Sequence, residues 1–399
     1  MNFFDALLTK NVSAIYPNQE AFLKKLSSDT KLKIYLGIDP SSPKIHLGNA
    51  IALRKLAEFQ NLGHRIILLI GDFTGMIGDP TDRSSARQPL TKDRVLENSK
   101  SYRRQAEKIL SFKGKNPAEI VYNSTWLSKL NFEEVVKLSG HFTIQQLLER
   151  DMFQERLKNN KPIGLHEFLY PVMQGYDSVA LDVDLEVGGT DQTFNMLIGR
   201  DLQRELNGKE KFVLTLPLLE GTDGRKMSKS FGNSIDIDEI PADMFGKIMG
   251  IKDELIWKYF EMCTDLDAET LKRLRKNSEK ENPINLKKKL AFEITKLYSG
   301  EDEATKAQAQ FEFVVQKKQL PANIKEVELS KNLMPKPYLY FLVETGLCES
   351  NSQAIRLAEQ GGVEFDGKRI FDPKEEFTTN KESVIIRAGK RNYIRLKFS

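Results

Sequence analysis

The sequence predicts an α/β protein with an open, mostly parallel β-sheet, followed by a helical part and a small α+β unit. Two short apolar runs, residues 33–38 and 65–71, flank one stretch with helical periodicity. Strand, helix and strand in this order form a right-handed βαβ unit, and the alternation continues to about residue 230. An open sheet of this kind binds ligands at the carboxyl ends of its strands.

The elements of the βαβ unit follow from their apolar spacing. A helix is expected over residues 47–61, because Ala52, Leu56 and Phe59 recur at i, i+4 and i+7. Residues 65–71 form an aliphatic run too short for a helix, which predicts a buried strand parallel to the first.

Beyond residue 230 the composition changes to charged, helical sequence, and its clearest helix has Asn282 as cap, Pro283 at the first position and Gly300 as stop. Residues 319–335 have few periodic apolar positions, which suits a linker. After them, two short helices and a hairpin turn at Asp366-Gly367 predict a compact unit. The predicted segments are 1–231 for the sheet domain, 232–320 for the helical domain, 321–335 for the linker and 336–399 for the last unit.

Composition excludes several classes of protein. Sixty basic and 56 acidic residues leave a formal charge of +4, so a polyanion has to be bound by local patches. The two cysteines, Cys263 and Cys348, are far apart, which excludes a disulfide framework and suits a reducing compartment. No run of about eighteen apolar residues is present, so we expect no membrane span. These observations predict a multidomain, cytoplasmic, globular protein.

Two runs of residues carry the candidate chemistry. The first, residues 35–49, passes from a strand through a turn into a helix start, where free N–H groups favour an anion. There Gly48 would let a flat ring approach the backbone, and His46 supplies a donor. The second run, residues 224–233 (GRKMSKSFGN), has three cations and two hydroxyl groups. It is either a solvated basic loop or a mobile clamp that places lysine ammonium groups on a triphosphate.

Together, strand-His-Leu-Gly-Asn-helix and Lys-Met-Ser-Lys-Ser resemble the two signature motifs of class I aminoacyl-tRNA synthetases. Within that class, the chain is similar to the bacterial tyrosyl-tRNA synthetase family over nearly its full length. The resemblance implies a Rossmann-like catalytic domain, a helical anticodon-recognition domain and an S4-like RNA-binding domain. It also implies ATP and L-tyrosine as substrates, tRNA(Tyr) as partner, Mg²⁺ bound through the ATP phosphates, and a homodimer. We expect no metal site on the protein itself, because no cluster of carboxylates indicates one.

A site selective for tyrosine needs a buried partner for the phenol hydroxyl that is left unpaired when phenylalanine enters. Residues 170–177 (YPVMQGYD) resemble the family's tyrosine-binding helix, on which Tyr170, Gln174 and Asp177 share one face. An amphipathic core helix is the other interpretation of this segment. The tyrosine-binding residues implied are Tyr35 and Asp177 at the phenol, Asp79, Tyr170 and Gln174 at the ammonium, and Gln192 at the carboxylate.

In the reaction implied by the resemblance, the tyrosine carboxylate attacks the α-phosphorus of ATP. This nucleophile is already an anion, so catalysis depends on positioning and on cations rather than on a general base. The catalytic candidates are His46, Ser41, Asn49, Lys226, Lys229, Arg83 and Arg87. The ATP-binding candidates are Gly37, Asp39, His46, Gly48, Gly189, Asp191, Lys226, Met227, Ser228, Lys229 and Ser230, with Asp191 accepting from a ribose hydroxyl.

Two residues depart from the family pattern. Leu36 replaces a residue that in some relatives is a polar contact to the ribose, and Asn49 stands where the first signature usually ends in a second histidine. Asparagine can donate a hydrogen bond but carries no charge, so the share of catalysis at this position is open. In the last unit, the final strand alternates apolar and basic residues, which suits an RNA backbone as well as a merely soluble edge strand. The RNA-binding candidates are Arg356, Lys368, Arg369, Arg395 and Lys397.

Two other functions remain open from the sequence. An RNA-binding or regulatory protein could have kept the scaffold without the chemistry, and Asn49 is the feature that favours it. A small-molecule nucleotidyltransferase would share the first signature, but the S4-like tail disfavours it. The acid at position 177 disfavours the relative specific for tryptophan.

Overall fold

The computed structural model describes residues 3–28, 30–79, 90–278, 282–313, 325–389 and 392–398. The catalytic candidates Arg83 and Arg87 lie outside these residues. The chain divides into two compact units, residues 1–301 and 302–399. The predicted domain boundary at residue 231 falls inside the first unit, where the helical part packs against the sheet part: the Arg54 guanidinium donates to the carbonyl of Thr264 at 2.8 Å.

Six strands form the sheet of the first unit, in the order β1-β6-β5-β2-β3-β4. All neighbours are parallel except the edge strand β1, which is antiparallel to β6. The strands are β1 (Ala14–Tyr16), β2 (Lys33–Ile38), β3 (Arg65–Ile70), β4 (Glu119–Tyr122), β5 (Leu185–Gly189) and β6 (Phe212–Leu216). Because the chain turns to opposite sides of β2, the topological switch point lies between β2 and β5. This confirms the predicted mostly parallel α/β fold.

Among the described residues, seventeen α-helices begin within the first unit. They are α1 (Phe3–Thr9), α2 (Gln19–Leu26), α3 (Leu47–Asn61), α4 (Thr74–Ile77), α5 (Lys92–Ser99), α6 (Tyr102–Ala106), α7 (Ser124–Leu127), α8 (Phe132–Ser139), α9 (Ile144–Leu148), α10 (Asp151–Lys158), α11 (Leu165–Leu181), α12 (Thr193–Asn207), α13 (Pro241–Met249), α14 (Ile256–Cys263), α15 (Ala268–Asn277), α16 (Pro283–Ser299) and α17 (Glu301–Phe311).

The elements predicted from apolar spacing are confirmed. β2 and α3 have the predicted bounds, and β3 ends one residue earlier than expected. Residues 66–70 of β3 are all at most 2% exposed, because a strand inside a parallel sheet is covered on both faces. α16 begins as predicted, with the Asn282 side chain accepting from the Ile284 amide at 3.0 Å, and it ends at Gly300 with φ 87°.

The second unit contains a five-stranded sheet in the order β10-β9-β12-β13-β7 and a separate pair, β8 and β11. Its elements are β7 (Lys325–Leu329), β8 (Lys336–Pro337), α18 (Tyr338–Glu344), α19 (Asn351–Glu359), β9 (Val363–Phe365), β10 (Lys368–Arg369), β11 (Glu376–Phe377), β12 (Ser383–Ala388) and β13 (Asn392–Phe398).

In this unit the hairpin turn lies where the sequence predicts it, whereas the predicted linker contains a strand. The Asp366-Gly367 turn is confirmed: Phe365 pairs with Lys368, and both turn residues have positive φ, 46° and 81°. The predicted linker differs, since β7 lies within it and runs parallel to β13. The physical reason is that Val327 and Leu329 of β7 pack against the core of this unit. Over the described part of the chain, no helix is long and apolar enough to cross a membrane.

Candidate active site

The structure buries Asp177 on α11 and surrounds its carboxylate with donors. Trp126 Nε1 donates to Oδ1 at 2.8 Å, and Asn123 Nδ2 donates to Oδ2 at 3.2 Å. Burial raises the pKa of Asp177, and these two hydrogen bonds oppose the rise. Tyr35 is buried on β2, and its hydroxyl lies 2.8 Å from Ser178 Oγ. A carboxylate held in this way can accept a hydrogen bond from a phenol hydroxyl.

A second group of residues lies directly at the switch point. Asp39 follows β2, and its two oxygens accept from Thr74 Oγ1 at 2.6 Å and from the Tyr170 hydroxyl at 2.8 Å. Asn123 Nδ2 also donates to Thr74 Oγ1 at 3.0 Å, which connects this group with Asp177. Burial, and next the carboxylates of Asp39 and Asp79, raise the pKa of Tyr170. The hydroxyl of Tyr170 therefore remains a hydrogen-bond donor at neutral pH.

Most of the residues expected at the substrate ammonium and carboxylate form one hydrogen-bonded chain, whereas Tyr170 donates to Asp39 instead. Gln192 Nε2 donates to Asp79 Oδ2 at 2.7 Å, and Asn195 Nδ2 donates to Gln192 Oε1 at 3.1 Å and to Gln174 Oε1 at 2.9 Å. The guanidinium of Arg150, a residue not foreseen from the sequence, lies 3.2 Å from Asp79 Oδ1. The structure thus brings together Asp79, Gln174 and Gln192 as expected, and adds a cation beside them.

Among the residues expected to bind ATP, Lys226 Nζ donates to Asp191 Oδ2 at 2.8 Å. Burial, and next the Asp79 carboxylate, raise the pKa of Asp191 to about 6. Gly189 ends β5 at this point, and a Cβ there would lie 2.4 Å from Asp191 Oδ1. The glycine therefore leaves the space that the Asp191 carboxylate occupies.

His46 and Asn49 cap helix α3 reciprocally. His46 Nδ1 accepts from the Asn49 amide at 3.2 Å, and Asn49 Oδ1 accepts from the His46 amide at 3.4 Å. Burial, and next the ammonium groups of Lys229 and Lys226, lower the pKa of His46 to about 4. At neutral pH the ring is therefore uncharged, and because Nδ1 accepts, its proton lies on Nε2.

The loop of the second signature is held by Asn233. The Asn233 side chain accepts from the Ser228 amide at 2.8 Å and donates to the Lys226 carbonyl at 3.1 Å. Lys229 Nζ donates to the carbonyl of Lys44 and lies 3.6 Å from Asp236 Oδ1. In this loop Lys229 is therefore held on the side of the first signature. Of the other candidates, Met227 is buried, Gly37 is exposed on β2, Gly48 lies against the His46 ring, and Ser41 and Ser230 are exposed.

Several residues of the site were not foreseen as candidates. Thr74 and Asn123 bind Asp39 and Asp177, and Arg150, Asn195 and Asn233 organise the rest of the site. A signal existed for Thr74 and Asn123, because both follow strands that end at the same edge of a parallel sheet. Arg150 lies between α9 and α10, Asn195 lies on α12, and neither carries a comparable sequence signal.

The basic residues expected to bind RNA are partly neutralised within the second unit. Glu326 on β7 lies 3.1 Å from Arg395 and 2.6 Å from Lys397, and Glu364 lies 3.3 Å from Arg369. The exposed Arg356 and Lys368 have no carboxylate partner within the described residues. These two side chains are the most available cations of the predicted set.

Acids, amides and lysines lie together at the switch point of a parallel sheet, which is where α/β proteins with an open sheet bind their ligands. The described residues contain no group of three or more His, Cys, Asp or Glu side chains placed to hold a metal ion. A family model described as tRNA synthetases class I (W and Y) matches residues 27–316. The chain belongs to this family.

Curated relatives agree over almost the whole chain. The chain is 46% identical over 393 residues to the tyrosine–tRNA ligase of Thermotoga maritima, a match that covers 98% of this chain and 96% of that one. It is 42% identical over 379 residues to the tyrosine–tRNA ligase of Aquifex aeolicus, covering 95% and 94%. The predicted family resemblance is confirmed.

Solved structures agree in fold. A C-terminally truncated mitochondrial tyrosyl-tRNA synthetase of Coccidioides posadasii matches with a TM-score of 0.64 and 24% identity, over 77% of this chain and 92% of that one. The tyrosyl-tRNA synthetase of Archaeoglobus fulgidus, complexed with L-tyrosine, matches with a TM-score of 0.59 and 22% identity, over 76% and 98%.

Proposed function

We propose that this chain is a tyrosine–tRNA ligase, which activates L-tyrosine with ATP to tyrosyl-adenylate and transfers the tyrosyl group to the 3′ end of tRNA(Tyr). The observation that carries the proposal is the buried Asp177 carboxylate, held by Trp126 and Asn123 beside the buried Tyr35. A phenol that donates to this carboxylate satisfies it, whereas a phenyl ring leaves it without that donor. The names of the curated relatives support the same substrate.

In the first step, the tyrosine carboxylate attacks the α-phosphorus of ATP and pyrophosphate leaves. Lys226 and Lys229 stabilise the charge that spreads over the phosphates, and the neutral His46 ring contributes a hydrogen bond from Nε2 rather than a charge. Asp191 accepts from a ribose hydroxyl when Lys226 turns to the phosphates. Mg²⁺ would be held through the ATP phosphates rather than by this chain, and it would supply positive charge against the charge on the leaving pyrophosphate. Arg83 and Arg87, Ser41 and Asn49 remain the further catalytic candidates.

Tyrosine enters with its ammonium group at Asp79, where the Arg150 guanidinium lies in the present structure. The single negative charge of Asp79 cannot neutralise two cations. When the substrate binds, the Arg150 guanidinium therefore moves away or contacts Asp79 beside the substrate ammonium. In the second step, the terminal ribose hydroxyl of the tRNA attacks the carbonyl of the adenylate. We assign residues 232–320 to anticodon recognition and residues 336–399 to an S4-like contact with the RNA. We also propose that the protein acts in the cytoplasm.

A homodimer is part of this proposal. Helices α8, α9 and α11 pack in one apolar cluster. Outside that cluster they expose Phe132 (83%), Val136 (54%), Ile144 (67%) and Leu165 (80%). Side chains of this size exposed on three helices that pack in one cluster favour burial by a second copy. Sedimentation of the Phe132→Asp variant and of the unaltered chain tests the dimer. A dimeric unaltered chain with a monomeric variant supports it, and a monomeric unaltered chain rejects it.

Tyrosine-dependent exchange of labelled pyrophosphate into ATP tests the activity. We expect exchange with tyrosine and its loss in Asp177→Ala. Asp267→Asn is the matched control, because Asp267 is an exposed cap of α15 and asparagine caps a helix equally well. Exchange with no amino acid would instead favour an RNA-binding protein without chemistry. Exchange with an unrelated acid would favour a nucleotidyltransferase.

A further inference from the structure

A buried ion pair lies behind Tyr35, and the reaction described above does not use it. Lys211, just before β6, and Glu186, on β5, are 0% and 2% exposed, and the Lys211 ammonium donates to Glu186 Oε2. Lys211 Nζ also donates to Ser178 Oγ at 2.7 Å. Ser178 Oγ is in turn 2.8 Å from the Tyr35 hydroxyl. A charged pair in a core is costly to bury, so its position against a substrate-binding tyrosine needs a reason.

The fold builds this cluster at the switch point of the sheet. Glu186 is the direct neighbour of Tyr35 in the pairing of β5 with β2, and Ser178 follows Asp177 on α11. Helix α12 crosses the cluster with Gly199, where a Cβ would lie 2.7 Å from Lys211 Nζ and 2.8 Å from Ser178 Oγ. Glycine is less favourable than alanine inside a helix. Here it leaves the space for the contact between Lys211 and Ser178.

The chemistry of the four groups sets the direction of the hydrogen bonds. An ammonium only donates, so Ser178 Oγ accepts from Lys211. The Ser178 proton then has two acceptors, Glu186 Oε2 at 3.4 Å and the Tyr35 oxygen at 2.8 Å. The first distance exceeds the usual range for a hydroxyl donor and the second lies within it, so the proton points to Tyr35. The proton of the Tyr35 hydroxyl is therefore turned away from Ser178. The Glu186 carboxylate also lies beside this hydroxyl as an acceptor, and the Lys211 ammonium holds that carboxylate.

We infer that Lys211, Glu186 and Ser178 are positioning residues for tyrosine specificity: they orient the Tyr35 hydroxyl so that it donates to the phenol oxygen of the substrate. This inference rests on the proposed tyrosine site. The hydrogen bonds then run from Lys211 to Ser178, from Ser178 to Tyr35 and from Tyr35 to the substrate phenol. The phenol in turn donates a hydrogen bond to the Asp177 carboxylate. Burial, and next the Glu186 and Asp177 carboxylates, raise the pKa of Tyr35, which keeps the hydroxyl protonated.

The test compares tyrosine with phenylalanine, because only tyrosine has the oxygen that Tyr35 contacts. Ser178→Ala removes the donor to Tyr35, and the double variant Lys211→Met with Glu186→Gln removes both charges together, which avoids leaving one charge buried alone. In both, we expect the KM for tyrosine in pyrophosphate exchange to rise about tenfold, the worth of one oriented hydrogen bond. The inhibition constant of phenylalanine and kcat should stay unchanged. A merely structural role would weaken both ligands in parallel.

Ser99→Ala is the matched control, because this buried serine donates to the Leu96 carbonyl in its own helix, and it should change neither constant. Tyr35→Phe and Asp177→Asn separate the possible failures. If these two variants lower the preference for tyrosine over phenylalanine while Ser178→Ala and the double variant do not, the inference is overturned and the proposed site stands. If none of the four changes that preference, both are overturned.

Discussion

Gly71→Ala tests whether the group around Asp39 holds the site together. Gly71 follows β3, and a Cβ at this position would lie 2.0 Å from Asp39 Oδ1 and 2.4 Å from Thr74 Oγ1. Contacts below about 3 Å are not tolerated, so Asp39 or Thr74 has to move by about 1 Å. That movement breaks the 2.6 Å hydrogen bond between them and displaces Asp39 from the Tyr170 hydroxyl.

The magnitude follows from two costs. Overpacking a filled site costs about 1–3 kcal/mol, and a hydrogen bond to a charged group contributes about 1.5–3 kcal/mol. Part of the strain relaxes, so we expect transition-state stabilisation to fall by about 3 kcal/mol. This lowers kcat/KM for tyrosine about 100-fold in pyrophosphate exchange.

A second glycine at the same edge of the sheet provides the control for folding. A Cβ at Gly37 would lie 3.8 Å from Leu69 Cδ2, which is an ordinary contact, so Gly37→Ala should keep the Tm of the unaltered chain. A Gly71→Ala variant with unchanged Tm and a kcat/KM within about threefold of the unaltered chain would refute the role given to this group.

Three further predictions concern the cap, the ribose site and the RNA surface. Asn49→Ala removes half of the reciprocal cap of α3 and should lower the free energy of unfolding by about 1 kcal/mol, measured by thermal denaturation; an unchanged Tm contradicts this. The carboxylate of Asp191, with a pKa of about 6, loses its charge as the pH falls through 6, so the KM for ATP should rise below pH 6 and Asp191→Asn should remove that dependence. Lys368→Ala should weaken tRNA binding and reduce its salt slope by about one, while Lys397→Ala, whose cation is paired with Glu326, should change the slope less; the reverse order would count against the assigned surface.

The sequence was sufficient for the parts of the fold that depend on local pattern. The bounds of β2 and α3, the cap at Asn282 and the turn at Asp366-Gly367 depend on neighbours within a few residues, so periodicity and turn chemistry predict them. The predicted linker differs for the opposite reason. β7 is held by a parallel strand that lies more than sixty residues later, and no local pattern reports such a partner.

For the site, the sequence determined which chemical groups are present, and tertiary structure decided what each of them does. The motifs identified His46, Asp177, Lys226 and Asp191 because their residue types and spacing match a known pattern. The structure alone showed that Glu326 neutralises two predicted RNA-binding cations, that Asn49 is engaged in a helix cap, and that a lysine and a glutamate lie behind Tyr35. Charge and hydrogen bonding act over a few ångströms in space, and residues far apart in the chain reach such distances only when the sheet and helices pack.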